Sequence, residues 1–275
     1  METFNKLLSV NQNYVLVGLV ILFFSVEMLF RPIVYTGSKL KHLATGILFQ
    51  VIAILLGSLV ALIIGLVFDW INRNQFGVFN WISIPFWMKV VIGFFLIDLG
   101  DYLFHRIDHR VPLLWRFHRV HHSDTMLDAS TTLRAFPTEG FYFLVGDLLT
   151  CVIFGLDILS ENLFLFLIIP AMFVQHASIR YPLWIDKVFG WIFVTPNMHK
   201  IHHDSDRFYT DSNYGTYFII WDKLFGTFRT KPVEEINYGL IEFEDPQKQT
   251  FWYLLRSPFL KIGRSLKNSG TPDGT

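Results

Sequence analysis

Five of the chain's ten histidines fall within eighteen positions, in the stretch DLGDYLFHRIDHRVPLLWRFHRVHHSD at 98–124. His105 and His109 are spaced i, i+4, and His118, His121 and His122 are spaced i, i+3, i+4. On a helix each set therefore occupies one face. The second set has a near copy: HRVHHSD at 118–124 is answered by HKIHHDSD, with His199, His202 and His203, at 199–206. His176 lies between the two. Neutral imidazole is the commonest metal ligand, and it suits zinc, copper, iron and nickel. Without a metal or other partners, close buried imidazoles would leave donors unpaired at about 1–3 kcal/mol each. Nine neutral ligands exceed one ion's capacity and suit two ions with open positions. The single cysteine, Cys151, sits in an apolar run, which excludes an internal disulfide and a cysteine-built zinc or iron–sulfur site within one chain.

Carboxylates accompany the histidines. Asp98 and Asp101 precede His105 by two turns and one turn on its own face. Membrane carboxylates are costly and usually functional. A ligating histidine typically donates its second N–H to a carboxylate, which makes Asp101, at i−4, the candidate partner of His105. Asp108 and Asp204 adjoin histidines and are candidates for the same work. Asp101 and Asp204 are the carboxylates expected in a catalytic role. His42, beside Lys41, reads as a loop residue outside the clusters.

The elements that must carry these residues are membrane helices. The chain has 275 residues, is 52% hydrophobic and 17% aromatic, and has zero net charge, so it offers no argument for a nucleic-acid partner. Apolar runs at 14–30, 43–68, 86–104 and 141–159 are long enough to be membrane segments, and a shorter one follows at 162–174. Ser160, Glu161 and Asn162 separate the last two, which read as a shallow or re-entrant hairpin returning His176 to the side it left. The expectation is an all-α, multi-pass helical bundle of four to five apolar segments under a histidine-rich cap. Basic residues follow the first and third runs and are scarce between the second and third. The positive-inside rule puts the N-terminus outside and the histidines on the cytoplasmic face. Residues 1–94 read as the anchor, 95–229 as the catalytic domain, and 230–275 as an interfacial segment and tail. Within the last, TFWYLLRSPFLKIGRSLKN at 250–268 has an amphipathic character, and the final eight residues read as disordered.

HRIDH at 105–109, HRVHH at 118–122 and HKIHH at 199–203 together resemble the HxxxH, HxxHH, HxxHH pattern of the fatty acid hydroxylase and sterol desaturase superfamily. STTLRAFPTE at 130–139, QHASIRYP at 175–182, DSNYG at 211–215 and WDKLFGTF at 221–228 agree with that resemblance, which covers about 95–229. Phe136 and Ser178 depart from it, standing where many members carry histidine and asparagine. The resemblance implies a membrane di-iron centre held by His105, His109, His118, His121, His122, His176, His199, His202 and His203. It implies supporting roles for Arg134, Glu139, Asn213 and Asp222. O₂ would be the co-substrate and a lipid the substrate: a fatty acyl chain, a sterol-like molecule or an ether lipid. Hydroxylation, desaturation and ether cleavage with tetrahydrobiopterin all stay open. The sequence carries no cytochrome b5-like domain, flavin motif or cysteine-ligated cluster, so a separate cytochrome b5-, ferredoxin- or flavoprotein-like donor is expected. Arg106, Arg110, Arg116 and Arg119 are candidates to dock an acidic one. The alternative, a histidine-lined metal transporter or sensor, calls for histidines spread over several spans at midplane depth, whereas these crowd at one face. A bis-histidine haem protein would leave the doubled HxxHH unexplained.

Overall fold

The computed structural model describes residues 12–29 and 38–263. Among these there is no strand; two isolated bridges, Phe193 to Phe218 and Asp204 to Tyr238, are the extended pairings. The first apolar run forms α1 (Gln12–Leu29) and the second lies inside α2 (Lys39–Asn74). Ser38 caps α2 by accepting from the Lys41 amide, and Gln75, in the left-handed region at φ 47°, ends it. A short α3 (Val78–Trp81) leads to α4 (Phe86–Arg110).

Two helical stretches, Lys39–Ser58 and Ile158–His176, are long and apolar enough to cross a membrane. Val60–Trp81 and Phe86–Arg110 make a third if the pair, bent by 88°, is one span. Two or three crossings is thus what length and composition support, fewer than the four to five apolar segments expected. The reason is partly local. The break expected at 160–162 is absent, because the Asp157 side chain accepts from the Leu159 and Ser160 amides and starts the helix there. Ser160 and Glu161 belong to its first turn. The preceding helix, α6 (Glu139–Phe154, 16 residues), stops at Gly155, whose φ is +67°. The helix that follows, α7 (Ile158–His176), is therefore a full 19 residues and ends on a histidine.

Gly155 also meets Gly77, itself at φ +101°. A Cβ added to Gly77 would stand 2.1 Å from the Gly155 amide nitrogen, so backbone touches backbone where α3 closes on the end of α6. Below this contact Phe94, Ile97, Cys151, Leu156, Phe164 and Ile168 fill the space between α4, α6 and α7. This cluster fixes the depth and rotation of the three helices that reach the histidines.

The cap is built on α5 (Pro112–His122) and on α9 (Pro196–His202), which follows a short α8 (Trp184–Phe189). Pro112 at the first position of α5 ends the hydrogen-bond ladder of α4 and turns the chain at Val111. Asp98 clamps the cap to α4: its carboxyl accepts from the Tyr217 amide (3.0 Å), the Phe218 amide (3.2 Å) and Trp221 Nε1 (2.8 Å). The C-terminal segment folds back as α12 (Phe251–Arg256), after the short α10 (Arg207–Thr210) and α11 (Ile220–Leu224). Leu254 joins Phe49, Trp115, Val120, Phe136, Leu240 and Phe243 in a second core. Arg119, expected on a docking surface, is buried and donates to the carbonyls of Ser257 (2.5 Å) and Ile262 (3.1 Å). Its charge is thus spent on orphan carbonyls. The tail expected to be disordered, and Arg264 and Lys267 of the amphipathic stretch, lie outside the described residues.

Candidate metal centre

Nine histidines converge in two groups. His105, His109, His118, His122 and His202 form one, and His121, His176, His199 and His203 the other; within each group one ligand atom per ring lies within 4.8 Å of all the rest. All nine rings are buried. The two HxxHH motifs are divided across the groups in a reciprocal way. On α5, His118 and His122, spaced i, i+4, serve the first group while His121 reaches the second. On α9 and its C-cap, His199 and His203 serve the second while His202 reaches the first. α4 adds two rings to the first group, and the last residue of α7 adds one to the second.

In the first group His118 Nε2 lies 3.1 Å from His105 Nε2 and 3.0 Å from His122 Nε2, and His202 Nε2 lies 3.0 Å from His105 Nε2. In the second, His176 Nε2 lies 3.2 Å from His121, 3.1 Å from His203 and 3.0 Å from His199, each at Nε2. The opposite edges explain the protonation. His105 Nδ1 is 2.7 Å from the Tyr214 carbonyl, His202 Nδ1 2.6 Å from the Ser212 carbonyl, and His176 Nδ1 2.8 Å from the Met172 carbonyl. A carbonyl only accepts, so each of these Nδ1 atoms carries the proton and each Nε2 presents a bare lone pair. Lone pairs gathered at 3 Å with no proton between them repel one another, and a cation is the group that satisfies them.

Electrostatics agree. Burial, then the neighbouring imidazoles, pushes His121, His122, His199, His202 and His203 well below the usual histidine value, so these rings are neutral near pH 7. Nδ1 of His121, His122, His199 and His203 is shielded from solvent and has no hydrogen-bond partner among the described residues. An all-imidazole donor set fits iron, zinc, copper or nickel rather than calcium or magnesium.

Around the rings, His118 Nδ1 is held by Glu139 Oε1 at 2.7 Å. Burial pushes the Glu139 carboxyl up to about 8, against a backbone hydrogen bond at Phe136 that favours its charged form. Asp222 accepts from the Tyr214 (2.8 Å) and Gly215 (2.7 Å) amides, and Asn213 donates to the Met198 carbonyl at 3.0 Å, which together fix the loop whose carbonyls face His105 and His202. Arg134 donates to Ser123 Oγ at 2.9 Å beneath α5.

Two carboxylates stand elsewhere than expected. Asp101 does not hold His105, whose Nδ1 faces Tyr214; it hydrogen-bonds Asp147 on α6. Asp204 accepts from the Asp206 amide at 2.8 Å and pairs with Lys231. The loop reading of His42 is also corrected. It is buried on the first turn of α2, with Nε2 2.6 Å from Asp124 Oδ2 and Nδ1 2.9 Å from Ser130 Oγ. Burial opposes charge on Asp124, but His42 and Arg134 hold it well below the usual carboxylate range. His42 thus fastens the loop leaving α5 to the membrane helices. Its signal in the sequence was faint: one polar ring at the mouth of an apolar run.

A cavity of about 520 Å³ opens against the rings. Its wall includes His105 and His118 of the first group and His121, His176 and His199 of the second. Most of the remainder is apolar, with Ile54, Leu56, Phe164, Ile168 and Met172 among it. Phe141 and Phe143 line it as well, whereas Tyr142, Trp184 and Trp191 are not among its lining residues.

The family profile described as Fatty acid hydroxylase matches residues 90–227, which contain all nine clustered histidines. The chain belongs to the fatty acid hydroxylase family. Among curated relatives, Alkylglycerol monooxygenase of Homo sapiens is 32% identical over 200 residues, covering 68% of this chain and 41% of that protein. Ornithine lipid hydroxylase OlsE of Rhizobium tropici is 33% identical over 159 residues, covering 54% of this chain and 44% of that protein. Cholesterol 25-hydroxylase of Homo sapiens is 29% identical over 141 residues, half of each chain. This chain thus spans half or less of the length of these relatives. No solved structure matches it.

Proposed function

We propose that this fatty acid hydroxylase family member is an O₂-dependent, di-iron lipid monooxygenase. The observation that carries the reading is the contact of one largely apolar cavity with rings of both histidine groups. His105, His109, His118, His122 and His202 would hold one iron, and His121, His176, His199 and His203 the other. When bound, such ions supply O₂ activation strong enough to oxidise an unactivated C–H bond. The relatives compared carry hydroxylase or monooxygenase names, which favours oxygen insertion over desaturation.

The chain's own part is positional. Carbonyls of Tyr214, Ser212 and Met172 keep the proton on Nδ1 of His105, His202 and His176 and aim each Nε2 inward. Glu139 does the same for His118. Buried rings and apolar walls keep water from the reacting carbon, and the cavity aligns the lipid against both groups. Basic residues beside the cap support a cytoplasmic site reached laterally from a multi-pass bundle. Electrons come from a separate donor. Arg110 and Arg116, both exposed, are the cap charges best placed to meet an acidic one.

Protein purified with its metal should consume O₂ in the presence of a chemical reductant and transfer one labelled oxygen atom from isotopic O₂ to a lipid. Iron-loaded protein that consumes O₂ without oxidising any lipid overturns the reading.

A further inference from the structure

Apart from the metal groups and Glu139, which holds His118, α4, α6 and α7 bring three further carboxyls to the wall of the same cavity: Asp101, Asp147 and Glu161. All three are more than nine-tenths buried. Asp101 and Asp147 hydrogen-bond each other, which requires a proton between them. Both oxygens of Glu161 and one of Asp147 are shielded from solvent and have no hydrogen-bond partner among the described residues. Among the described residues, no lysine or arginine lines the cavity. A role as helix glue accounts for the Asp101–Asp147 pair, which ties α4 to α6. It does not account for Glu161, a buried acceptor on the cavity wall with nothing among the described residues to accept from.

The chemistry of the missing partner follows from the acceptors. Ionised carboxylates only accept, and a protonated one adds a single donor. A group that satisfies them must bring O–H or N–H donors. Phosphate, sulfate or carboxylate headgroups bring more acceptors and a like charge, so the site rejects them. We propose that Asp101, Asp147 and Glu161 form a headgroup subsite for the hydrogen-bond-donating end of an uncharged or cationic lipid, its chain lying along the apolar wall. The donors are hydroxyls or an ammonium group, and the carboxyls recognise the chemistry these share. This subsite rests on the cavity being the substrate site of the lipid oxygenase.

The test uses the full chain, purified with its metal, and lipids of one chain length: a monoalkylglycerol, a primary alkylamine, a methyl ester and a free fatty acid. At one hydrogen bond or more gained, at least one donor-bearing lipid should bind about tenfold tighter than the ester, with the fatty acid weakest. Glu161→Leu should erase that preference while leaving ester affinity and iron content unchanged. Glu161→Gln separates the two sources, because the amide still accepts but carries no charge. Retained affinity for the alkylglycerol identifies hydroxyls, and loss confined to the alkylamine identifies ammonium. If Glu161→Leu does not fold, Glu161→Ala, which also removes both acceptor oxygens, provides the same comparison. Equal affinity for ester and donor lipids in the unaltered protein, or a preference that survives in Glu161→Leu, overturns the subsite. Iron-loaded, lipid-oxidising protein with no donor preference sinks the subsite alone. Donor-selective binding by protein that oxidises no lipid sinks the oxygenase reading instead.

Discussion

Glu139 Oε1 stands 2.7 Å from His118 Nδ1, and His118 Nε2 in turn stands 3.0–3.1 Å from the Nε2 atoms of His105 and His122. One carboxyl on α6 therefore sets the ring orientation of the residue at the centre of the first group. Removing such a partner typically costs about 10–100-fold in metal affinity. Glu139→Ala should lose that much, measured by retention of iron against a chelator, and Glu139→Gln, which keeps an acceptor, should lose less. Equal retention by all three proteins would show that Glu139 does not position His118.

His42 and Asp124 form a buried pair that joins α2 to the loop after α5. Removing one partner of such a pair leaves an uncompensated charge and costs about 3–5 kcal/mol. His42→Ala should be destabilised on that scale in detergent denaturation, with iron binding impaired as a consequence. A loss below about 1 kcal/mol would mean that Asp128, Ser130 and Arg134 alone hold the loop.

The Gly77–Gly155 contact predicts opposite outcomes for two similar substitutions. Gly77→Ala places a methyl group 2.1 Å from a backbone nitrogen at positive φ and should cost at least about 1–3 kcal/mol. Gly65→Ala, in α2 with open space around it, should be neutral or gain about 0.5–1 kcal/mol from helix propensity. Thermal unfolding of the two variants side by side checks this, and equal midpoints would contradict it.

Arg119 holds the carbonyls of the C-terminal segment, so Arg119→Ala should expose residues 257–263 to limited proteolysis. Charge reversal at Arg110 or Arg116 should slow reduction by an acidic donor without that cleavage. Electron transfer indifferent to both reversals would place the donor elsewhere.

Much of this molecule is legible in its sequence because two periodicities are strong. Apolar runs mark the membrane helices, and the i, i+3, i+4 spacing puts His118, His121 and His122 on one side of α5. What spacing cannot reveal is which ring faces which centre. The reciprocal division of the HxxHH motifs depends on α5 and α9 meeting face to face, a tertiary fact. Ser160, Glu161 and Asn162 look like a turn in the sequence, while the cap that decides where α7 starts is Asp157. Helical spacing puts Asp101 one turn before His105, but backbone carbonyls take the Nδ1 protons, and local sequence carries no sign of an acceptor 109 residues away. Nor does it carry a sign of the role of His42, whose partners lie 82 and 88 positions on.

The division of nine rings into two independent ion sites is most directly tested by counting metal. Protein purified under iron-replete conditions should contain about two irons per chain, because each buried group offers enough imidazoles for one. His202→Ala, altering the first group, and His199→Ala, altering the second, should each fall toward one iron while remaining inserted in the membrane. A single iron in the unaltered protein, or simultaneous loss of all metal in both variants, would contradict two separate centres.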